Sequence, residues 1–206
     1  MKTAAIVPVK GLGLAKSRLG GIFTAEERAL LVLDMLAHVL GVLRDSGAVD
    51  EVAVVSPSPE ELPLPEGVHA LKQRRSGLNA ALEQGRRWAV SRDADAVLVA
   101  FADLPALTAR DISRIAKLGR AKGTVVLAPD RHGTGTNLML AHPAQMARFA
   151  FGPGSFAAHN RLAEEAGAHV RVYRAYGTGL DIDTLDDLEF LDSHRVAEAM
   201  EYAFSA

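Results

Sequence analysis

Across 206 residues the chain contains no cysteine, which excludes disulfides and thiolate metal sites and leaves the fold to stand on packing. Aromatic residues are scarce, at 5%, and that argues against the stacking platforms that hold single-stranded nucleic acid. A basic excess is missing too. The formal net charge is −2, whereas a dedicated nucleic-acid binder carries a cationic surface. No apolar run approaches the ~20 residues that span a bilayer, and the N-terminus lacks the longer apolar core and cleavage site of a secretory signal. Together these absences point to a cytoplasmic protein that uses neither nucleic acid nor membrane. Nucleophile elbow, Ser-His-Asp set and Cys-His pair are absent as well, so covalent acyl chemistry has no evident carrier. His38, His69, His142, His169 and His194 are scattered and read as packing or surface residues.

What is present is an alternation of strand-like and helix-like segments. Ala4 to Val9, Glu51 to Ser56, Val68 to Leu71, Ala96 to Phe101, Thr124 to Ala128 and Val170 to Tyr173 read as strands, and Leu138 to Ala141 is short and apolar. The run Ala96 to Phe101 is apolar at every position, the mark of a strand buried on both faces in a parallel sheet. Thr24 and Glu27 form a capping box for a helix whose apolar face carries Leu30, Leu31, Leu33, Leu36, Val39, Leu40 and Leu43. Further helices are expected from Gly77 to about Ser91, from Thr108 to Leu118, around Ala144 to Ala150, from Ser155 to Ala166 and from Leu185 onward. The pattern implies one α/β domain over residues 1–206, with helices on both faces of a mostly parallel sheet. Ligands of such sheets bind beyond the carboxyl ends of the strands.

Several polar segments fall at those ends. The first strand runs into a loop with Gly11 and Gly13 that delivers Lys10, Lys16 and Arg18, a composition suited to a phosphate chain although it is neither a Walker A loop nor a dinucleotide fingerprint. Asp103 directly follows the fully apolar strand. Asp181 and Asp183 alternate about Ile182, so on extended backbone their carboxylates share one side. Three carboxylates brought together need a cation between them, and an oxygen-only ligand set suits Mg²⁺. The plainer alternative is that Asp183 N-caps the helix at Leu185. Gly133 to Asn137 reads either as a donor-rich ligand loop using Thr136 and Asn137 or as a hairpin turn. Phe151-Gly152-Pro153-Gly154-Ser155 reads as a helix start, with or without a bound anion. His132 and His159 flank these loops as weaker ligand candidates.

The strings Val7 to Leu19, Gly77 to Leu82, Asp103-Leu104-Pro105, Pro129-Asp130-Arg131, Gly135-Thr136-Asn137, Phe151 to His159 and Asp181 to Thr184 occur in the order found in the 2-phospho-L-lactate guanylyltransferase family, which the chain resembles over nearly its whole length. That resemblance implies a three-layer α/β/α sandwich of the nucleotide-diphospho-sugar transferase type. It also implies transfer of GMP from GTP to a phosphorylated three-carbon acid in coenzyme F420 biosynthesis. By the same resemblance Lys10, Gly11, Lys16 and Arg18 hold the GTP triphosphate, and Gly77 and Asn79 lie near guanine or ribose. Asp103, Asp181 and Asp183 hold Mg²⁺, and Thr136, Gly152 and Ser155 bind the phospho-acid. Lys16, Arg18 and Asp103 are the expected catalytic residues. A glycosyltransferase of the same fold and a nucleotide-binding regulatory module without turnover are the competing readings. The stretch Val196 to Phe204 is open between a homodimer contact and a core helix.

Overall fold

A computed structural model describes residues 1–14 and 16–191. Side chains of successive strand residues leave opposite faces of a sheet, and in β1 (Thr3–Pro8) and β4 (Ala96–Ala100) both sets are buried. Ala5, Val7, Ala96 and Leu98 join one core, whereas Ala4, Ile6, Val97 and Val99 join a second. Each face therefore needs a helical cover. The first is packed by Met35, Leu36 and Val39 of α1 (Ala25–Asp45) and by Ile112 and Ile115 of α3 (Ala109–Leu118). Ala81, Leu82 and Ala89 of α2 (Leu78–Ser91) and Ala163 of α4 (Ser155–Glu165) pack the second. The result is the three-layer α/β/α sandwich. α2 sits unusually close to β1, since a Cβ on Gly85 would come within 2.6 Å of Ile6 Cγ2.

The remaining strands are β2 (Glu51–Ser56), β3 (Val68–Lys72), β5 (Thr124–Pro129), β6 (Thr136–His142) and β7 (His169–Val172). The sheet order is β3-β2-β1-β4-β6-β5-β7. Only β6 runs against its neighbours β4 and β5; the other pairings are parallel. It returns from β5 through a tight connection with Ala128 opposite Leu138 and Pro129 opposite Thr136, across a register shift. The hairpin turn thus spans 130–135, and Thr136 and Asn137 already belong to β6. Asp130 braces that turn by accepting from the N–H groups of Thr134 (2.8 Å) and Gly135 (2.9 Å).

The expected capping box of Thr24 with Glu27 forms, and Thr108, the expected start of α3, makes a second one with Asp111. Two expectations are corrected and one element is added. Between Ala144 and Ala150 there is only a single 3₁₀ turn, Ala144–Met146. Leu30 stands 66% exposed, while Val32 and Met35 take core positions beside the expected Leu36, Val39, Leu40 and Leu43. A four-residue helix, α5 (Tyr176–Gly179), precedes the acidic segment. The stretch Val196 to Phe204 lies outside the described residues. Among the described residues no helix is long and apolar enough to cross a membrane.

Candidate active site

The loops that follow β1, β2, β3 and β4 enclose a cleft of about 600 Å³ at the carboxyl ends of the strands. Lys10, Gly11 and Lys16 come from the first loop, Arg74 and Arg75 from the segment before α2, and Asp103 from the end of β4. Asp181 and Asp183 close the far side. Gly77, at φ 100°, opens α2 as a cap that a side chain would strain, and its backbone lines the cleft with Leu78.

Lys16 occupies the centre of the acidic group. Its backbone is left-handed (φ 50°, ψ 41°) between two 3₁₀ turns, Leu12–Leu14 and Ser17–Leu19, and the fully buried Leu19 anchors the second turn. This bend sends the side chain inward until it is only 8% exposed. The ammonium donates to Asp103 Oδ2 at 2.6 Å and to Asp183 Oδ1 at 2.9 Å. Burial works against its charge, but the two carboxylates outweigh burial and hold the Lys16 pKa above the ordinary lysine value. Asp181 shows the opposite balance. Burial, then the neighbouring Asp103 charge, push its carboxyl above the usual range against a hydrogen bond from Asn137.

The acidic segment is held from several directions. Ile182 is fully buried and its N–H donates to the Asp103 carbonyl at 3.1 Å, so Asp103 and the 181–183 strand-like run are side by side. Asn137 Nδ2 donates to the carbonyls of Thr178 and Gly179 and to Asp181 Oδ1. Asp187 accepts from the N–H groups of Asp183 (3.0 Å) and Thr184 (2.7 Å) and pairs with Arg131 at 2.7 Å. Thr184 and Asp187 thereby brace the helical stretch over 185–191, and the Asp183 side chain is left for Lys16 rather than for capping.

The second polar group surrounds His159, which is fully buried. Its Nε2 accepts from the Ala150 N–H at 3.0 Å, so the ring proton resides on Nδ1 and is donated to Thr136 Oγ1 at 3.0 Å. The Thr136 hydroxyl proton is then available to another acceptor. Desolvation pulls the His159 pKa down to about 4. The folded protein keeps this imidazole neutral while an unfolded chain protonates it near ~6.5. Stability carried by the neutral ring is fully present above pH ~6.5 and is lost as pH falls toward about 4, by roughly 3 kcal/mol at most. Thermal melts across that window should show this slope in the native protein and a flatter one in His159→Gln; equal slopes would place the acid sensitivity elsewhere.

Of the residues singled out in the sequence, the structure brings Lys10, Gly11, Lys16, Gly77, Asp103, Asp181 and Asp183 into one cleft. Arg18 is exposed and does not line it. Neither do Asn79, Thr136, Gly152 or Ser155. Thr136 and Ser155 are each 2% exposed, and Gly152 stands exposed at φ 140°. The start of α4 is largely self-satisfied, since the Ser155 N–H donates to the Gly152 carbonyl and the Phe156 N–H to that of Thr134. Arg74 and Arg75 were missed. The signal was available as two adjacent cations between a strand and the glycine that opens α2. Asn137, Arg131 and Asp187 were missed as struts because their partners lie far away in sequence.

As to metal, the oxygen-only donors agree with a hard cation, and Asp103 Oδ1 is buried without a hydrogen-bond partner. No ready cage of three or more His, Cys, Asp or Glu exists among the described residues. The place between Asp103 and Asp183 is taken by the Lys16 ammonium.

A sequence profile described as "Guanylyl transferase CofC like" matches residues 3–202. The chain is 44% identical over 196 residues to a phosphoenolpyruvate guanylyltransferase of Sphaerobacter thermophilus, covering 94% of each protein. It is 34% identical over 191 residues to a 2-phospho-L-lactate guanylyltransferase of Methanothermobacter thermautotrophicus, covering 91% of this chain and 83% of that protein. A solved structure from Desulfovibrio desulfuricans G20, described as a nucleotide-diphospho-sugar transferase, superposes with a TM-score of 0.76 at 17% identity over 93% of this chain and 87% of the other. That likeness speaks for the fold alone. With the sandwich, the strand-end cleft and these relatives in place, the chain belongs to the CofC-like family of guanylyl transferases.

Proposed function

We propose that the cleft moves GMP from GTP onto the phosphate of phosphoenolpyruvate, releasing pyrophosphate, as a step toward coenzyme F420. The observation that carries this reading is a buried cation, Lys16, flanked by Asp103 and Asp183 in a cleft whose rim supplies Lys10, Arg74 and Arg75. Phosphoenolpyruvate is preferred over 2-phospho-L-lactate because the relative at 44% identity carries the former name.

A phosphate oxygen of the acid attacks the α-phosphorus of GTP. A P–O bond forms there, the bond to the β-phosphate oxygen breaks, and its electron pair leaves with pyrophosphate. A phosphomonoester ionises with a second pKa near ~6, so the nucleophile needs no general base at neutral pH. That agrees with a site whose one buried histidine is committed to Thr136 and Ala150. The difficulty is electrostatic, because two polyanions must approach in line. Mg²⁺ held by Asp103 and Asp183, with Asp181 beside them, would screen the triphosphate and stabilise charge on the leaving group. Lys16 would pair with the phosphates, and Lys10 and Arg75 would counter the remaining charge.

The acid is received beside the 151–155 turn by Thr136, Gly152 and Ser155, the residues that the family resemblance gives for it. Ser155→Ala should raise the KM for the acid more than that for GTP; an equal rise in both would remove the turn from the acid's site. The reaction itself is tested by incubating the enzyme with GTP and each of phosphoenolpyruvate, 2-phospho-L-lactate and 3-phosphoglycerate, with no sugar donor. Pyrophosphate and a GMP-acid anhydride should appear in equal amounts and fastest with phosphoenolpyruvate. Release of pyrophosphate only when a sugar phosphate is supplied would overturn the proposal.

A further inference from the structure

Asn79 sits one residue inside α2, in the turn that follows the cleft-lining Gly77 and Leu78. Its resemblance to a nucleotide contact does not survive its geometry. The side-chain amide closes a two-way pair with one distant residue: Nδ2 donates to the Phe151 carbonyl at 3.0 Å, and Oδ1 accepts from the Phe151 N–H at 2.8 Å. Both functional ends are therefore engaged with backbone 72 residues away. The neighbouring N–H, that of Ala150, is held by His159 Nε2. The Phe151 ring is buried, lying 5.2 Å from Phe101 and 4.4 Å edge-on from His159 between ring centroids. Phe101 itself lines the cleft two residues before Asp103. The Phe151 backbone is thus fixed to α2, its ring to the cleft wall, and the Gly152-Pro153-Gly154 turn springs from that fixed point with positive φ at both glycines.

We propose that Asn79 is a positioning residue for the acceptor acid: by clasping the Phe151 backbone it sets the 151–155 turn against the nucleotide cleft, and it makes no contact with the nucleotide. The inference rests on the reading of that turn as the acid's wall. Without the clasp the turn begins from a freer residue. A displacement on the scale of an ångström at a reacting partner costs up to about a hundredfold in rate, and here it falls on one substrate only. The Gly77 backbone and the Lys16 loop, which face the nucleotide, are built without Asn79 side-chain bonds.

The test uses full-length enzyme carrying Asn79→Ala or Asn79→Asp. Three quantities are read: GTP affinity by calorimetry without acid, KM for each substrate, and hydrogen exchange along the chain. Asn79→Ala should raise the acid KM by roughly ten- to a hundredfold and leave GTP affinity unchanged. It should also speed exchange at Phe151 while the β1 and β4 amides stay protected, which certifies the fold. Asn79→Asp keeps the acceptor for the Phe151 N–H but opposes an oxygen to the Phe151 carbonyl, so its acid KM should rise comparably. Weakened GTP binding with a normal acid KM would overturn the proposal and restore Asn79 to the nucleotide. Faster exchange at Phe151 with a normal acid KM would also overturn it. Ser155→Ala then separates the two ideas, because a raised acid KM in that variant keeps the turn as the acid's wall even though Asn79 does not govern it.

Discussion

Lys16→Ala is expected to lower kcat/KM for GTP by about two to three orders of magnitude, the scale of removing one charge-stabilising donor from a site of this kind. The same substitution should make the free enzyme bind a divalent probe such as Mn²⁺ more tightly. The two effects have one origin. The ammonium lies 2.6 Å from Asp103 and 2.9 Å from Asp183 and fills the space a metal ion would need. Deleting it removes a competitor for those carboxylates and, once GTP is bound, a partner for the phosphates. The accompanying loss of stability should be modest, because Asp183 is 49% exposed and Asp103 26% exposed, so water screens the carboxylates left behind. Steady-state kinetics and Mn²⁺ titration by electron paramagnetic resonance give the two readouts. Unchanged Mn²⁺ affinity would show that Lys16 does not compete with metal, and near-normal kcat/KM would remove it from the reaction.

Asp103→Asn is the second large effect. Turnover should fall by about two to three orders of magnitude while the fold stays intact. The isosteric amide preserves the backbone link from the Ile182 N–H to the residue 103 carbonyl. It also relieves the like-charge pressure that Asp103 places on Asp181. What disappears is a formal charge at the point nearest Lys16 and the bare, buried Oδ1. Melting should therefore fall only modestly, since Asp183 still pairs with Lys16, and the deficit should lie in kcat rather than in the acid KM. Turnover near the native level would take Asp103 out of the metal and leaving-group chemistry.

Much of this architecture was written in local pattern. Ala96 to Ala100 declares itself a two-sided buried strand by being apolar throughout, and Thr24 with Glu27 and Thr108 with Asp111 announce their helices within four residues. The 3₁₀ turn at Ala144–Met146 reads as a longer helix because small and apolar residues there satisfy helical spacing while packing against α2 and β6 as irregular chain. The exposed Leu30 shows the same limit. A broad apolar stripe leaves open which residues at its edge reach the core, and only the sheet beneath it chooses.

The site divides along the same line. Sequence alone determined the residue types, their loops and their side of the sheet: cations after the first strand, an aspartate after the fourth, two aspartates alternating about Ile182. Tertiary structure decided who meets whom. Lys16 finds Asp103 at a separation of 87 residues and Asp183 at 167, and Asn79 finds Phe151 at 72. Periodicity and capping report on neighbours within a turn of helix or a few strand residues. The direction of a buried side chain at a loop's end is set by the path of every segment packed around it, which is why the Asn79 amide, near the glycine that opens α2, is found on the Phe151 backbone.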